Sequence, residues 1–324
     1  MTSVSEVSIA FHNILAINQD FVMPLQDELL NSVIAILQDN LISLKSKQMA
    51  LIAITNLIQL PPVISQLTRC SLLKASFNTL FNSFLEADCF KLEDYKVARE
   101  LELKLTSIAD SLHILIKELL KQDMEQSTVD EIFTMLETWL RLDQPLSREL
   151  SVNILQRALE VYSKNIKLGV GSPTNFTPGP YMIGAMVARC HDPSLTVRKT
   201  ALVCLQILLR ILGVYEGLSP ETVENSIEQL NTMNARCNNI EMTAKLDQPA
   251  ISEALVNVLN DRVQHHHILT LADSLADGLL DSQMSSVAGC IAVFEGLVAV
   301  RGSEVFQNIP GCEYFFSKFL SNSC

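Results

Sequence analysis

Apolar side chains recur along this chain in steps of three and four. In segment 25–38 (LQDELLNSVIAILQ) they include Leu29, Leu30, Val33, Ile34, Ile36 and Leu37, the spacing that lines one face of an α-helix. Segment 95–120 carries Val97, Leu101, Leu105, Ile108, Leu112, Leu115 and Leu119, so these side chains share one stripe. Neither segment alternates with period two for long, as a half-buried strand does. Residues 201–212 (ALVCLQILLRIL) are apolar nearly all round. That predicts a helix covered on several sides, not one lying on a surface.

Prolines punctuate the pattern, at 24, 61, 62, 145, 173, 178, 180, 193, 220, 249 and 310. Helix starts are marked as well. Ser219-Pro220-Glu221 places a capping hydroxyl, a first-turn proline and an acid at one helix end. Ser127 to Asp130 reads as a capping box with Asp in place of Glu. About a dozen helices joined by short loops are predicted. None of the 11 glycines precedes Gly169, so the first half lacks the residue that tight hairpins favour.

The chain also repeats itself. Residues 142–155 read LDQPLSRELSVNIL and residues 246–259 read LDQPAISEALVNVL, with eight of fourteen positions identical at an offset of 104 residues. Midway lies a related start, Asp192-Pro193. The implied unit is roughly 50 residues, enough for a helix pair. One such pair cannot bury its apolar faces alone, so units stack. The expected fold is therefore all-α: a solenoid of stacked antiparallel helix pairs. Repeats are expected over 1–165 and 181–310, separated by a Gly/Pro-rich loop at 166–180 and followed by a non-repeat tail at 311–324.

His191–Arg198 (HDPSLTVR) resembles the turn and second helix of a HEAT repeat. The HEAT pattern places an Asp in the turn, then an apolar and a basic residue five and six positions later. Asp192, Val197 and Arg198 fit it, with Ala201 at a small-residue position. Asp39, Leu44 and Lys45 repeat the step. Asp143 is followed by Arg148 one position early, and Asp247 has no basic residue in register. The resemblance implies a partial ladder of Asp and Arg side chains between repeats. The stretch DPSLTVRKTALVCLQILLRI, the following Tyr215-Glu216-Gly217 and the late VRGSEVF (300–306) are similar to the maestro heat-like repeat family, over most of residues 1–310. Members of that family are mostly longer chains, which implies that this one is a fragment or short isoform.

Charge narrows the partners. The formal net charge is −12, with no basic patch, so nucleic acid is not expected. Residues 1–20 lack a signal-peptide pattern. The eight cysteines include no CxxC pair, which points to free thiols in a reducing, cytoplasmic setting. Segments 202–214 and 287–300 are apolar, but Arg210 and Glu295 interrupt them and both are short for a bilayer. They are expected to be buried helices, and no integral membrane segment is expected.

Candidate chemistry is sparse. Residues 169–180 (GVGSPTNFTPGP) carry no phosphate-reading Lys in register and read as a loop or flexible joint. Ser172-Pro173 and Thr177-Pro178 offer proline-directed phosphorylation sites. His265-His266-His267 cannot all face one metal from a helix. Cys204 and Cys290 sit in apolar helices as structural thiols, and Cys190 beside His191 does not by adjacency form a dyad. Glu100 and Glu102 belong to a solvated face. No catalytic, cofactor-binding or metal-ligating residue is assigned, and no cofactor or small-molecule substrate is expected. The expected role is a non-catalytic scaffold that binds other proteins. The alternative is a membrane-peripheral trafficking adaptor using the solenoid surface and the aromatic tail Tyr314, Phe315, Phe316 and Phe319.

The ladder gives a first test. Arg198→Glu is expected to lower the melting temperature by placing a like charge against the Asp192 turn; an unchanged melting temperature would remove Arg198 from the ladder.

Overall fold

The computed structural model describes residues 4–17, 21–89, 95–166, 174–239 and 248–307. Among these it contains fourteen α-helices, two short 3-10 turns and no strand, the all-α architecture that the periodicity predicts. The chain divides into two compact units, Met1–Met135 and Leu136–Cys324.

In the first unit α1 (Val4–Ile17), α3 (Leu44–Ile58) and α5 (Tyr95–Gln122) lie side by side as one layer. Helices α2 (Gln26–Gln38) and α4 (Gln66–Cys89) form the layer against them, α2 packing on α3 and α4 on α5. The predicted stripes point inward. Leu30, Val33, Ile34 and Leu37 are buried in α2, and Leu105, Ile108, Leu112, Leu115 and Leu119 in α5. Helix α6 spans Gln126–Leu140, so the division between the units falls within it.

In the second unit α7 (Pro145–Asn165) and α8 (Gly179–Cys190) both pack on α9 (Leu195–Tyr215). Helices α10 (Pro220–Ser226) and α11 (Glu228–Asn239) follow, and α11 lies between α9 and α12 (Gln248–Arg262). Helix α8 also packs on α13 (Ile268–Asp277) and α14 (Met284–Gln307), and α14 lies beside α12. Buried residues surround α9, from Val197 through Leu205 and Leu208 to Tyr215, as its unbroken apolar sequence requires. Close helix approach needs small residues: a methyl group at Gly289 of α14 would overlap the His191 ring, and one at Gly296 would lie 2.5 Å from Val256 of α12.

Among the described residues, four interhelix turns use one device. Asp39, Asp123, Asp192 and Asp281 each accept the backbone N–H two residues on through Oδ1, at 2.8, 3.3, 2.9 and 2.8 Å. This Asx turn stands in for a backbone turn ahead of the next helix. Asp123 rather than Ser127 prepares α6: the helix already starts at Gln126, and the Ser127 hydroxyl donates to Glu125. The helix thus begins one residue before the Ser127 expected to cap it. The cap at Ser219 is present, its Oγ accepting from the Thr222 N–H at 3.2 Å.

The arginine ladder forms with a different wiring from the one expected. The Arg198 Nη1 donates to the Asp192 and Pro193 carbonyls at 2.5 and 3.1 Å. Arg148 does the same to Leu142 and Asp143, at 2.8 and 2.6 Å. Arg148 and Arg198 are thus equivalent positions, 50 residues apart, as are the starts of the two 21-residue helices that carry them. Arg148 is in register after all; it is the turn aspartate at 143 that is displaced. The Asp192 carboxylate receives Arg148 through two bonds, at 2.7 and 3.1 Å, and Arg189 at 2.7 Å. Arg189 continues to Asp281. Lys45, the basic residue of the first repeat, is exposed.

Arg148, Asp192, Arg189 and Asp281 have side chains no more than 1% exposed. Removing one partner from such a set leaves a buried charge uncompensated. Asp192→Asn is therefore expected to cost about 3–5 kcal/mol of stability. Asp39→Asn, at an exposed turn that Asn also supports, is expected to leave the melting temperature nearly unchanged. Equal thermal shifts in the two variants would contradict this account.

Candidate interaction surfaces

Helix α5 extends well beyond the length of α3, its neighbour. Between the start of α3 and the first half of α5 lies an open groove of about 530 Å³. Its floor and walls are Leu44, Ile108 and Leu103, and Leu103 is 63% exposed. Lys45, Lys104 and Glu100 stand at its edge, with Lys104 bonded to Glu100 at 2.7 Å. Gln48 reaches across from α3 to the Ser107 hydroxyl of α5 at 2.6 Å. Glu100 is held below the ordinary carboxylate range by the Lys104 bond, and it lies on the solvated face expected for it and Glu102. A second, smaller groove of about 310 Å³ runs between α11 and α12, lined in part by Met233, Arg236, Glu253 and Asn257.

The polar side chains of the second unit bond one another across its helices. The Tyr181 hydroxyl lies 2.6 Å from Glu137 and 3.1 Å from Asp277, and Arg141 donates to the same Glu137 oxygen at 2.6 Å. Burial, then the Glu137 carboxylate, pushes the phenol well above its ordinary value, so Tyr181 stays a neutral donor. Three thiols, of Cys70, Cys204 and Cys290, are likewise raised. Burial lifts Cys204 far up and Cys290 to about 12, and a 3.0 Å bond to the Glu131 carboxylate lifts Cys70. A reactive thiolate needs the opposite environment.

Cys190 and His191 are both buried, and the His191 ring is committed elsewhere. Its Nδ1 lies 3.0 Å from the Val187 carbonyl and its Nε2 2.9 Å from the Ser252 hydroxyl of α12. A carbonyl only accepts, so the neutral ring carries its hydrogen on Nδ1 and accepts from Ser252 on Nε2. The histidine triplet departs from expectation. His265–His267 is a 3-10 turn, not α-helix, and His267 is buried while His265 and His266 are exposed. No cluster of three metal-ligating residues occurs among the described residues.

The Gly/Pro-rich segment is more than a spacer. Residues 167–173, including Ser172-Pro173, lie outside the described residues. Phe176, fully buried, packs between Tyr162 and Tyr215 at centroid distances of 5.9 and 5.3 Å. Tyr162 and Tyr215 join their hydroxyls at 2.6 Å, and the Thr174 N–H bonds the Tyr215 carbonyl at 3.0 Å. The isolated Phe within GVGSPTNFTPGP was the available signal. Thr177 is exposed. The aromatic tail 314–319 lies outside the described residues.

Helix α14 also corrects an expectation. Cys290, Val293 and Leu297 are buried, but Met284, Ile291 and Val300 are exposed. Over Met284–Gly302 it is long and apolar enough to cross a membrane by length and composition, with 28% of that window buried. It is a half-covered helix, whereas 202–214 within α9 is covered as expected apart from the exposed Val214 and the half-buried Val203 and Arg210.

Comparison with known proteins agrees with this architecture. The family model described as Maestro, HEAT repeats matches residues 146–312, just over half of the chain. Maestro heat-like repeat-containing protein family member 1 of Mus musculus is 21% identical over 264 residues, covering 82% of this chain and 15% of that protein. The protein of the same description from Dictyostelium discoideum is 23% identical over 269 residues, covering 80% and 16%. The chain thus spans about one sixth of the length of these curated relatives. No solved structure matches the chain.

Burial holds the His191 imidazole below its ordinary value of 6.5, with the nearby Arg198 charge acting in the same direction and the Val187 bond opposing it. The native ring therefore resists a proton that the unfolded ring accepts. Stability is expected to fall as pH drops below 6.5 and to keep falling until the folded pKa is passed. Glu216, raised mainly by burial, contributes with the opposite sign, so the measurement is a difference. His191→Asn is expected to flatten the loss of melting temperature between pH 7 and pH 5 relative to the parent; parallel pH profiles would show that His191 does not contribute.

Proposed function

The chain belongs to the Maestro HEAT-repeat family, and from that premise we propose that it is a non-catalytic scaffold that binds other proteins through the exposed grooves of its helix pairs. The observation that carries this reading is the groove between α3 and α5. An open channel of about 530 Å³ has the size of a binding cleft. Its exposed Leu103 offers an apolar contact, while Lys45 and Lys104 supply charge at the edge. Stacked helix pairs bind partners over such surfaces because each added unit extends the face without a new core. The raised thiols and the committed His191 ring support the non-catalytic side of the reading. The proposed setting is a cytoplasmic one, where the cysteines stay reduced.

The alternative of a membrane-peripheral adaptor draws on the exposed apolar positions of α14, Met284, Ile291 and Val300. The net charge of −12 opposes attraction to anionic lipid, so protein binding is preferred.

Crosslinking of the full chain in cell extract, followed by mass spectrometry, tests the proposal. Partner crosslinks are expected to cluster beside the α3–α5 groove, and Leu103→Glu with Lys45→Glu is expected to lower their yield by about tenfold without shifting the melting temperature. Flotation of the protein with vesicles and no protein crosslinks would favour the membrane reading instead.

A further inference from the structure

The first unit carries a second unpartnered surface, at the opposite end of α3 from the groove. Two chain segments meet there. The Met23 N–H donates to the Pro61 carbonyl at 2.8 Å, and Gln26 of α2 donates from its side chain to the Leu57 and Leu60 carbonyls at 3.0 and 2.9 Å. The Thr68 hydroxyl of α4 donates to the Asp27 carboxylate of α2 at 3.3 Å. These bonds fix the approach to α2 and the approach to α4 as one rim.

That rim is apolar where solvent reaches it. Phe21, Val22, Leu25, Val63 and Leu67 are 39–78% exposed. Single exposed apolar residues are ordinary, but five on two bonded turns form a patch. The rim's other exposed side chains include Asp27 and Glu28, both in the first turn of α2. The nearby cation Arg69 is buried against Asp123 and does not offset them at the surface.

Leu25 adds a separate observation. Its φ of 58° is the left-handed conformation, and it is the one non-glycine residue with positive φ among those described. Its side chain caps nothing at the start of α2 and is 66% exposed. A leucine in this position contributes neither to the core nor to the turn. Glycine would serve the backbone better. An apolar side chain kept at a strained, exposed position fits a contact with something outside the unit.

We propose that this rim docks a basic amphipathic segment of a partner protein, its apolar face covering Leu25, Val63 and Leu67 and its Lys or Arg side chains meeting Asp27 and Glu28. The assignment rests on the scaffold reading above and adds to it a second surface and the chemistry of its occupant. An apolar centre with a charged edge of one sign selects a partner with the same apolar pattern and the opposite charge. A partner helix presents such anchors at positions three and four apart.

The test uses the full chain and two synthetic helical peptides, followed by fluorescence anisotropy. Both peptides carry leucines at steps of three and four; one has lysines on the remaining positions and the other glutamates. The lysine peptide is expected to bind saturably and the glutamate peptide not to bind. L25G/V63S/L67S is expected to weaken binding by about tenfold or more. D27N/E28Q is expected to weaken it less and to reduce its salt dependence. Leu25→Gly alone is expected to raise the melting temperature by a few degrees while weakening binding, a combination that a purely structural role for Leu25 does not produce. Equal affinity of the parent and L25G/V63S/L67S would overturn the proposal, because the lysine peptide would then be held by the general negative charge of the chain. Absence of binding to the parent, equal binding of the glutamate peptide, rim-dependent vesicle flotation or rim-dependent self-association would overturn it too. If partner crosslinks persist beside the α3–α5 groove while any of these occurs, the rim assignment fails and the scaffold reading stands.

Discussion

The second unit is organised around a run of four buried charges: Arg148, Asp192, Arg189 and Asp281. Taking any of these groups out of water alone is costly, and only close pairing with further hydrogen bonds offsets that cost. The run meets the condition at every member. Asp192 accepts from Arg148, Arg189 and the Ser194 N–H, and Asp281 from Arg189 and the Gln283 N–H. Arg148 spends its remaining donor on two turn carbonyls. The same carboxylates therefore shape the turns and join them. α7 is tied to the turn before α9, and α8 to the turn before α14. Charges of both signs alternate along the run, so changing one side chain strands its neighbours.

Helical class and repeat length were legible because both rest on periodicity, which burial imposes on many residues at once. The stripe from Leu105 to Leu119 is a direct consequence of packing α5 on one face. The ladder was legible only as residue types. Sequence spacing suggested that Arg198 faces the Asp192 carboxylate, yet Arg198 holds the turn carbonyls and the carboxylate is met by Arg148 from the previous unit. Spacing within one turn reports local bonds; it carries no information about which neighbour arrives from 44 residues away. Asp123 and Asp281 went unmarked for a related reason. Neither is followed by an apolar–basic pair in register, although both make the same Asx turn three residues ahead of a helix.

The half-covered state of α14 marks a second limit. Its sequence is as apolar as a core helix, and hydropathy alone assigns it to the interior. The structure buries Cys290, Val293 and Leu297 and leaves Ile291 and Val300 outside, with Gly289 and Gly296 facing His191 and Val256. In a stacked architecture the amount of apolar surface on a helix reflects the number of neighbours it can take. Composition reports that capacity, while the packing on each side reports how much of it is used.

Two left-handed residues show how the same backbone requirement can be met in different ways. After α9 the chain ends its helix with Gly217 at φ 71°, the Gly217 N–H bonding Val214 and the Leu218 N–H bonding Gly213 at 3.1 and 2.9 Å. This is a Schellman closure, in which glycine removes the steric cost and a methyl group would gain no contact. Before α2 the conformation is similar, but the residue is Leu25 and its side chain stands in solvent. Where the backbone alone sets the residue, as at 217, glycine is found. At 25 the backbone favours glycine and the chain carries an exposed leucine, the observation from which docking at the rim is proposed. Val22, Val63 and Leu67 are exposed on the same bonded turns, so Leu25 is not an isolated apolar side chain there.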